Sequence, residues 1–286
     1  MKITGKTKIL GIIGHPVAHS LSPVMHNAAI KALGLDYVYV PFPVEPESLS
    51  AAVGGLRALG VRGFNVTIPH KSAVMPQLDK ISPEAELCGA VNTVSNENGL
   101  LVGYNTDGTG LLKSLRDDLG FKPGGSVVLI LGAGGAARGA LASLCNAGVS
   151  RIIVANRTRE RGEALVETFR DRFGKVSFHL SSLETGRLEE NLKAADLLVN
   201  TTSVGMNGTS FDGLNLASMA SHAKVYDMVY SPAETPLLAD ARRNGLACAN
   251  GIGMLAAQGE AAFSIWTGVE SPPGLMKDRV LAEIVA

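Results

Sequence analysis

Cysteine is scarce in this chain: Cys88, Cys145 and Cys248 are the only three in 286 residues, and no two form a C-x-x-C pair. Such scattering supports no disulfide framework, and all three are expected to be small buried residues in a reducing compartment. An excess of one charge is equally absent, 26 basic residues being balanced by 26 acidic ones. That balance removes the basic stripe of a nucleic-acid binder and the polybasic segment of a membrane-surface protein. Long apolar runs are missing too. The start, MKITGKTKILGIIGHP, holds one short apolar run before His15 and Pro16, too short for a secretion signal, and nothing further along approaches a membrane span. A cytoplasmic protein is the expectation. No repeat or low-complexity tract occurs. His15, His19 and His26 have no thiolate or carboxylate close among them in sequence, so no metal site is expected.

What the chain does have is a composition of 46% apolar and 18% charged residues, which is that of a folded globular protein. Its length is generous for one core and comfortable for two domains.

The stretch that organises the rest is residues 127–137, VVLILGAGGAA. Residues 127–131 read as a strand buried on both faces, because a short apolar run bounded by turn signals suits a parallel sheet better than an amphipathic helix. Gly132, Gly134 and Ala137 then fall on the pattern G-x-G-x-x-G/A. The first glycine permits a tight turn, the second lets backbone approach a pyrophosphate, and the small third residue lets a helix pack close to its strand. Phosphate would rest on the free N–H groups of that helix N-terminus. A glycine-rich turn in a helical hairpin would look similar over so few residues, but residues 151–157 (RIIVANR) supply a second strand at βαβ distance, with a helix over 139–148 between. The end of that second strand bears on the cofactor. An acidic residue there accepts from the ribose hydroxyls of NAD, whereas an arginine accommodates the extra phosphate of NADP. Here stand Asn156, Arg157 and Thr158, with Arg161 one turn later. Arg157 and Arg161 could grip a 2′-phosphate from two sides; two solvated arginines at a helix start are the plainer reading.

Residues 8–14 (KILGIIG) read as a buried strand, and Ser22 before Pro23 fits an N-cap followed by proline at the first helical position. Ser20 and Ser22, two apart, would point the same way in an extended segment. A strand is expected at 37–40, a helix at 46–59 and a strand at 61–68, in which Phe64, Val66 and Ile68 face a core while Asn65 and Thr67 face the other way. Lys71 follows at the C-terminal end, the edge at which open α/β sheets bind ligands. Strands at 90–94, carrying Asn92, and at 100–107, ending in Asn105 and Asp107, repeat the arrangement. Together these polar ends outline a pocket for a small polyhydroxylated molecule, with Lys71 and Asp107 its fixed charges. A helix at 111–119 leads to a joint at 122–125. Strands at 195–202, 224–230 and 246–250 continue one doubly wound sheet, and a glycine turn at 250–253 opens a helix containing Gln258.

These motifs, in this order, resemble the shikimate dehydrogenases: HSLSPVMHN, NVTIPHK, GAVNTV, GYNTDG, GAGGAARG, NRT, NTTSVGM, YDMVYSP and NGIGMLAAQGEAAF run nearly end to end. The resemblance implies an α/β fold of two domains with the active-site cleft between them. Residues 1–110, completed by C-terminal helices at 252–286, would bind the substrate; residues 111–251 would form a Rossmann domain binding NADP. It implies Ser20, Ser22, Asn65, Thr67, Asn92, Asp107, Tyr230 and Gln258 as substrate contacts, and Lys71 with Asp107 as the catalytic pair. It places the dinucleotide on Gly132, Ala133, Gly134, Gly135 and Ala136, its 2′-phosphate near Asn156, Arg157, Thr158 and Arg161, and the nicotinamide near Met228 and Gly251.

The implied reaction is reversible reduction of 3-dehydroshikimate to shikimate by NADPH, a step toward chorismate and the aromatic amino acids. Protonated Lys71 would stabilise charge developing on the carbonyl oxygen and deliver a proton to it. Ion pairing with Asp107 would hold the lysine in place while opposing its use as a base in the reverse direction. Ser20 and Ser22 both keep the pattern of shikimate-preferring members; quinate-preferring relatives often alter one of them and often use NAD. A quinate/shikimate enzyme using NAD, and a nucleotide sensor without turnover, are the alternatives. The expected partners are small molecules, with no nucleic acid and no membrane; monomer and homodimer both stay open.

Overall fold

The computed structural model describes residues 3–183 and 185–285. The expected domain bounds at residues 1 and 286 lie outside them. The chain divides into two compact units, one comprising Met1–Gly110 and Leu255–Ala286, the other Leu111–Met254.

The first unit opens with strand β1 (Lys8–Gly14), helix α1 (Ser22–Ala32), strand β2 (Tyr37–Pro43), helix α2 (Leu49–Ala58) and strand β3 (Gly63–Val66). A short strand β4 (Lys80–Ile81), helix α3 (Pro83–Cys88), strands β5 (Thr93–Glu97) and β6 (Leu100–Tyr104) and helix α4 (Asp107–Leu119) follow. The six strands form one sheet in the order β2-β1-β3-β5-β6-β4. Strand β1 lies between two parallel neighbours and is buried from Leu10 onward, which is why its sequence is a continuous apolar run. Strand β2 extends three residues beyond the expected 37–40 and takes in Pro41 and Pro43. Prolines are tolerated there because β2 is an edge strand, paired only with β1.

Three sets of expectations need correction. Strand β3 stops at Val66, and Ile68, assigned to the core by alternation, is 72% exposed. The cause is Pro69, which has no N–H to continue a ladder; a turn closed by the His70 N–H on the Thr67 carbonyl at 2.9 Å replaces the strand. The strand expected at 90–94 begins only at Thr93, so Asn92 precedes it. Likewise the strand expected to reach 107 ends at Tyr104, and Asp107 opens α4, its carboxylate at the positive end of the helix dipole. Because β5 runs antiparallel to β3 and β6, pairing Thr93 with Asn65 and with Tyr104, its beginning shares an edge with their ends. Asn65, Asn92 and Asp107 therefore do converge, by antiparallel register rather than as four strand ends. The third correction concerns Ser22, which is the first residue of α1 and not its cap. Leu21 occupies the cap position without a side-chain bond, and the Ser22 N–H donates instead to Ser20 Oγ at 3.3 Å.

The second unit carries β7 (Val127–Leu131), α5 (Gly135–Asn146), β8 (Arg151–Ala155), α6 (Arg159–Arg170), β9 (Ser177–Ser181), α7 (Thr185–Ala194) and β10 (Leu197–Asn200). A short strand β11 (Val204–Asn207) lies outside both sheets; β12 (Lys224–Asp227), α8 (Pro236–Arg243) and β13 (Ala247–Asn250) complete the unit. Six parallel strands run β13-β12-β10-β7-β8-β9. This is the doubly wound order, with its switch point between β7 and β10. Its core joins Leu129, Ile153, Leu198 and Val225 on the sheet to Leu188, Leu192, Leu237 and Leu238 on α7 and α8. The expected strands at 151–157, 195–202 and 224–230 are each cut back at the C-terminal end, so that Asn156, Arg157, Thr201, Thr202 and residues 228–230 lie in loops. Cys88 and Cys145 are buried, whereas Cys248 is only half-buried because β13 is an edge strand.

Helix α9 (Ile252–Thr267) and helix α10 (Leu275–Val285) end the chain. In the first unit α10 packs on α1, and Trp266 Nε1 donates to the Val94 carbonyl at 2.9 Å. A Cβ on Gly63 would lie 2.2 Å from that indole, so the ring reaches the sheet only because residue 63 is glycine. No helix among the described residues is long and apolar enough to cross a membrane.

Candidate active site

Lys71 and Asp107 meet. Lys71 Nζ donates to Asp107 Oδ2 at 2.6 Å, and the two side chains retain 33% and 22% of their exposure. The lysine sits on the turn after β3, which is held from both sides: buried His70 bonds the Val44 carbonyl through Nε2 at 2.7 Å, and the Lys71 carbonyl accepts the Val91 N–H at 2.8 Å. Asp107 Oδ1 accepts from Asn92 Nδ2 at 2.8 Å. The Thr106 backbone N–H donates to Asn92 Oδ1 at 2.8 Å, and this fixes the Asn92 amide with its nitrogen toward the carboxylate. Gln258 Oε1 stands 3.4 Å from the same nitrogen. Four of the expected residues thus form one network: an ammonium able to give a proton to an oxygen, a carboxylate able to accept from a hydroxyl, and two amides to orient the ligand.

Asn65 is 4% exposed and more engaged than strand alternation predicts. Its Oδ1 accepts from the Tyr39 hydroxyl at 2.7 Å, and its Nδ2 donates to the Asn92 carbonyl and to Thr93 Oγ1, both at 3.1 Å. Ser22 is buried, and Ser20 and Thr67 are half-buried. His26 lies in an aromatic cluster, stacked on Tyr39 at 4.4 Å. Both its ring nitrogens are buried without a hydrogen-bond partner, and burial pushes its pKa down to about 3, the nearby Asn65 amide opposing the shift.

In the second unit the glycine turn has the shape the fingerprint requires. Gly132 has φ +108°, and a Cβ there would lie 2.8 Å from Thr201 Oγ1. Gly134 caps α5 with no side-chain bond to the first turn, and a Cβ on Gly134 or Gly135 would meet nothing within 4 Å. Gly134, Gly135 and Ala136 are exposed and Ala133 is half-buried, while Ala137 is buried against the sheet. Past the end of β8 a cavity of about 510 Å³ is lined by Asn156, Arg157, Arg159 and Gly162 on one side and Ser181 and Ser182 on the other. Thr158 caps α6, its carbonyl accepting from Asn156 Nδ2 at 2.7 Å.

Arg161 is exposed but does not line that cavity; Arg159, which the sequence reading passed over, does. Ser181 and Ser182 were missed as well, since β9 reads SFHLS and offers no apolar run; the place of a third strand after α6 in a doubly wound sheet was the available signal. At the far side of the switch point, Met228 and Gly251 are neighbours, a Cβ on Gly251 lying 2.2 Å from the Met228 carbonyl oxygen. Buried Asp227 beside them accepts from Asn200 Nδ2 at 2.8 Å, the Val229 N–H at 3.0 Å and Thr235 Oγ1 at 2.7 Å. Burial raises the pKa of Asp227, those donors opposing it, and raises that of the half-buried Tyr230 phenol.

Three family models match in chain order: the shikimate dehydrogenase substrate binding domain at residues 12–94, shikimate/quinate 5-dehydrogenase at 120–207 and the shikimate 5′-dehydrogenase C-terminal domain at 251–281. The shikimate dehydrogenase (NADP(+)) of Geobacter metallireducens is 61% identical over 284 residues, covering 99% of each chain. The chain belongs to the shikimate dehydrogenase family. A solved shikimate dehydrogenase in complex with NADP+ superposes with a TM-score of 0.91 at 42% identity, covering 99% of this chain and 98% of that one. The shikimate 5-dehydrogenase of Listeria monocytogenes, solved with shikimate and NAD, gives a TM-score of 0.91 at 39% identity with 98% of each chain covered. In this chain the substrate-binding match spans Ser20, Ser22, Asn65, Thr67, Lys71 and Asn92, the central match spans Gly132 to Arg161, and the C-terminal match takes in Gly251 and Gln258. Asp107, Met228 and Tyr230 lie between matched segments and rest on geometry and motif.

Proposed function

We propose that this chain catalyses the reversible reduction of 3-dehydroshikimate to shikimate with NADPH. The observation that carries the proposal is the Lys71–Asp107 pair, 2.6 Å apart and joined by Asn92, in a chain 61% identical to a shikimate dehydrogenase (NADP(+)). Met1–Gly110 with Leu255–Ala286 is the substrate-binding part and Leu111–Met254 the NADP-binding part.

The second unit fits the dinucleotide. The uncapped N-terminus of α5 offers free N–H groups to a pyrophosphate, and the side-chain-free faces of Gly134 and Gly135 leave it room. Asn156, Arg157 and Thr158 would hold the 2′-phosphate of bound NADP beside the cavity wall, with exposed Arg161 assigned to the same phosphate, and Met228 and Gly251 would border the nicotinamide. Bound NADPH supplies the hydride. Lys71 Nζ stabilises the negative charge on the former carbonyl oxygen and transfers its proton to it, and the same nitrogen takes that proton back in the reverse direction. Asp107 and Asn92 orient the neighbouring hydroxyl, and Ser20 and Ser22 receive the carboxylate. Thr67, Tyr230, Gln258 and Asn65 complete the contacts. Cys88, Cys145 and Cys248, none of them in a disulfide, agree with a cytoplasmic site of action.

The test is initial rate by nicotinamide absorbance, crossing shikimate and quinate with NADP and NAD. Shikimate with NADP is expected to dominate. Equal rates with quinate or NAD would remove the specificity part of the proposal, and no turnover with any pair would remove the catalytic part.

A further inference from the structure

Tyr39 lies in none of the motifs that carry the family resemblance, yet it stands at a junction of the first unit's polar network. It is the third residue of β2 and 1% exposed. Asn27 clamps its backbone, donating from Nδ2 to the Tyr39 carbonyl at 2.8 Å and accepting the Tyr39 N–H at 3.0 Å. The phenol ring is stacked on His26 at 4.4 Å, with 13° between the planes, and tilts against Trp266 at 6.0 Å. From this fixed ring the hydroxyl donates to Asn65 Oδ1 at 2.7 Å.

Asn65 has both ends of its amide engaged, since Nδ2 serves the Asn92 carbonyl and Thr93 Oγ1. Its oxygen is held by the Tyr39 proton. Burial keeps the Tyr39 phenol well above the ordinary tyrosine range, the Ser22 hydroxyl opposing in part, so the hydroxyl keeps its proton and stays a donor across the working range. We infer that Tyr39 is a positioning residue for substrate binding, its hydroxyl setting the amide of Asn65 for the substrate while His26 of α1 holds its ring from behind. The inference rests on the shikimate reading, because it concerns a residue assigned there to the substrate. It adds a residue that touches no reacting atom and that a contact list would omit. Loss of the hydroxyl leaves the Asn65 oxygen buried without its donor and free to turn or to admit water, and either change acts on substrate binding before it acts on hydride transfer.

The experiment is steady-state kinetics of Tyr39→Phe, which keeps the ring and its stack on His26. The KM for shikimate is expected to rise about tenfold, kcat to fall far less, and the KM for NADP to stay as in the parent. Combined with Asn65→Ala, the substitution is expected to add little further, because both act through one amide. Three results would overturn the inference: an unchanged KM for shikimate in Tyr39→Phe, equal rises in both KM values with a lower melting temperature, and full additivity with Asn65→Ala. Absence of shikimate turnover in the parent protein would overturn the functional reading itself, so the two failures are told apart.

Discussion

At the scale of the residue, the proposed chemistry is concentrated in one ammonium and one guanidinium. In that proposal Lys71 acts chiefly when charge develops on the carbonyl oxygen, so Lys71→Ala is expected to lower kcat by about 10²–10⁴-fold while the KM for shikimate moves only a few-fold. A variant turning over near the parent rate would take lysine out of the reaction. Arg157 lines the cavity past β8, where its fork suits a phosphate and has no partner in NAD. Arg157→Ala is therefore expected to weaken NADP by about tenfold or more and to leave NAD nearly unchanged; comparing the two KM values measures this. These two residues were legible in the sequence because each sits at a fixed offset from a recognisable strand end. Arg159 and Tyr39 were not, since nothing in the local pattern says which arginine of a helix start faces a cavity, or which tyrosine of an edge strand meets an asparagine far away in the chain.

At the scale of the element, the strands came through clearly in their apolar middles and poorly at their ends. Strands β1 and β7 match the expected residues 8–14 and 127–131 in full, because each lies between two parallel neighbours and its apolar run gives way to glycine. Strand β3 was overextended because alternation alone cannot register that Pro69 ends a ladder, and β9 was invisible because an exposed edge needs no apolar run. The glycine turn allows a sharper test. With φ +108° and a hypothetical Cβ 2.8 Å from Thr201 Oγ1, Gly132→Ala adds backbone strain and a contact that must give. We expect a loss of about 1–3 kcal/mol in stability, read as a lower melting temperature, together with a raised KM for NADP. A variant that melts and binds NADP as the parent does would show that the turn tolerates a side chain.

At the scale of the whole molecule, two buried groups tie stability to pH in opposite directions. His26 has its folded pKa depressed to about 3 from 6.5, so between those values the unfolded chain binds the extra proton and stability falls as pH falls. Asp227 has its pKa raised; its contribution is full below the unfolded value and is lost as pH rises through the folded one. Replacing His26 by Phe keeps a stacking ring and removes two unpartnered nitrogens. His26→Phe is expected to lose less melting temperature than the parent between pH 7 and pH 5, and parallel curves for the two proteins would refute the assignment. A doubly wound sheet for the second unit was foreseeable from the run of strands, but the strand order of the first sheet, with β5 antiparallel between β3 and β6, was not, and the way Leu255–Ala286 rejoins the first unit was supplied by family resemblance, since no local pattern reports so distant a pairing. That return has a consequence for synthesis. The unit holding Lys71 and Asp107 is discontinuous, with Trp266 and α10 among its packing elements. During translation the contiguous dinucleotide unit emerges in full while the first unit still lacks its closing helices. A nascent chain stalled between the two would therefore carry the means to bind a cofactor before the reacting pair has its final support, and a ribosome-bound series of increasing length would display cofactor fluorescence ahead of turnover.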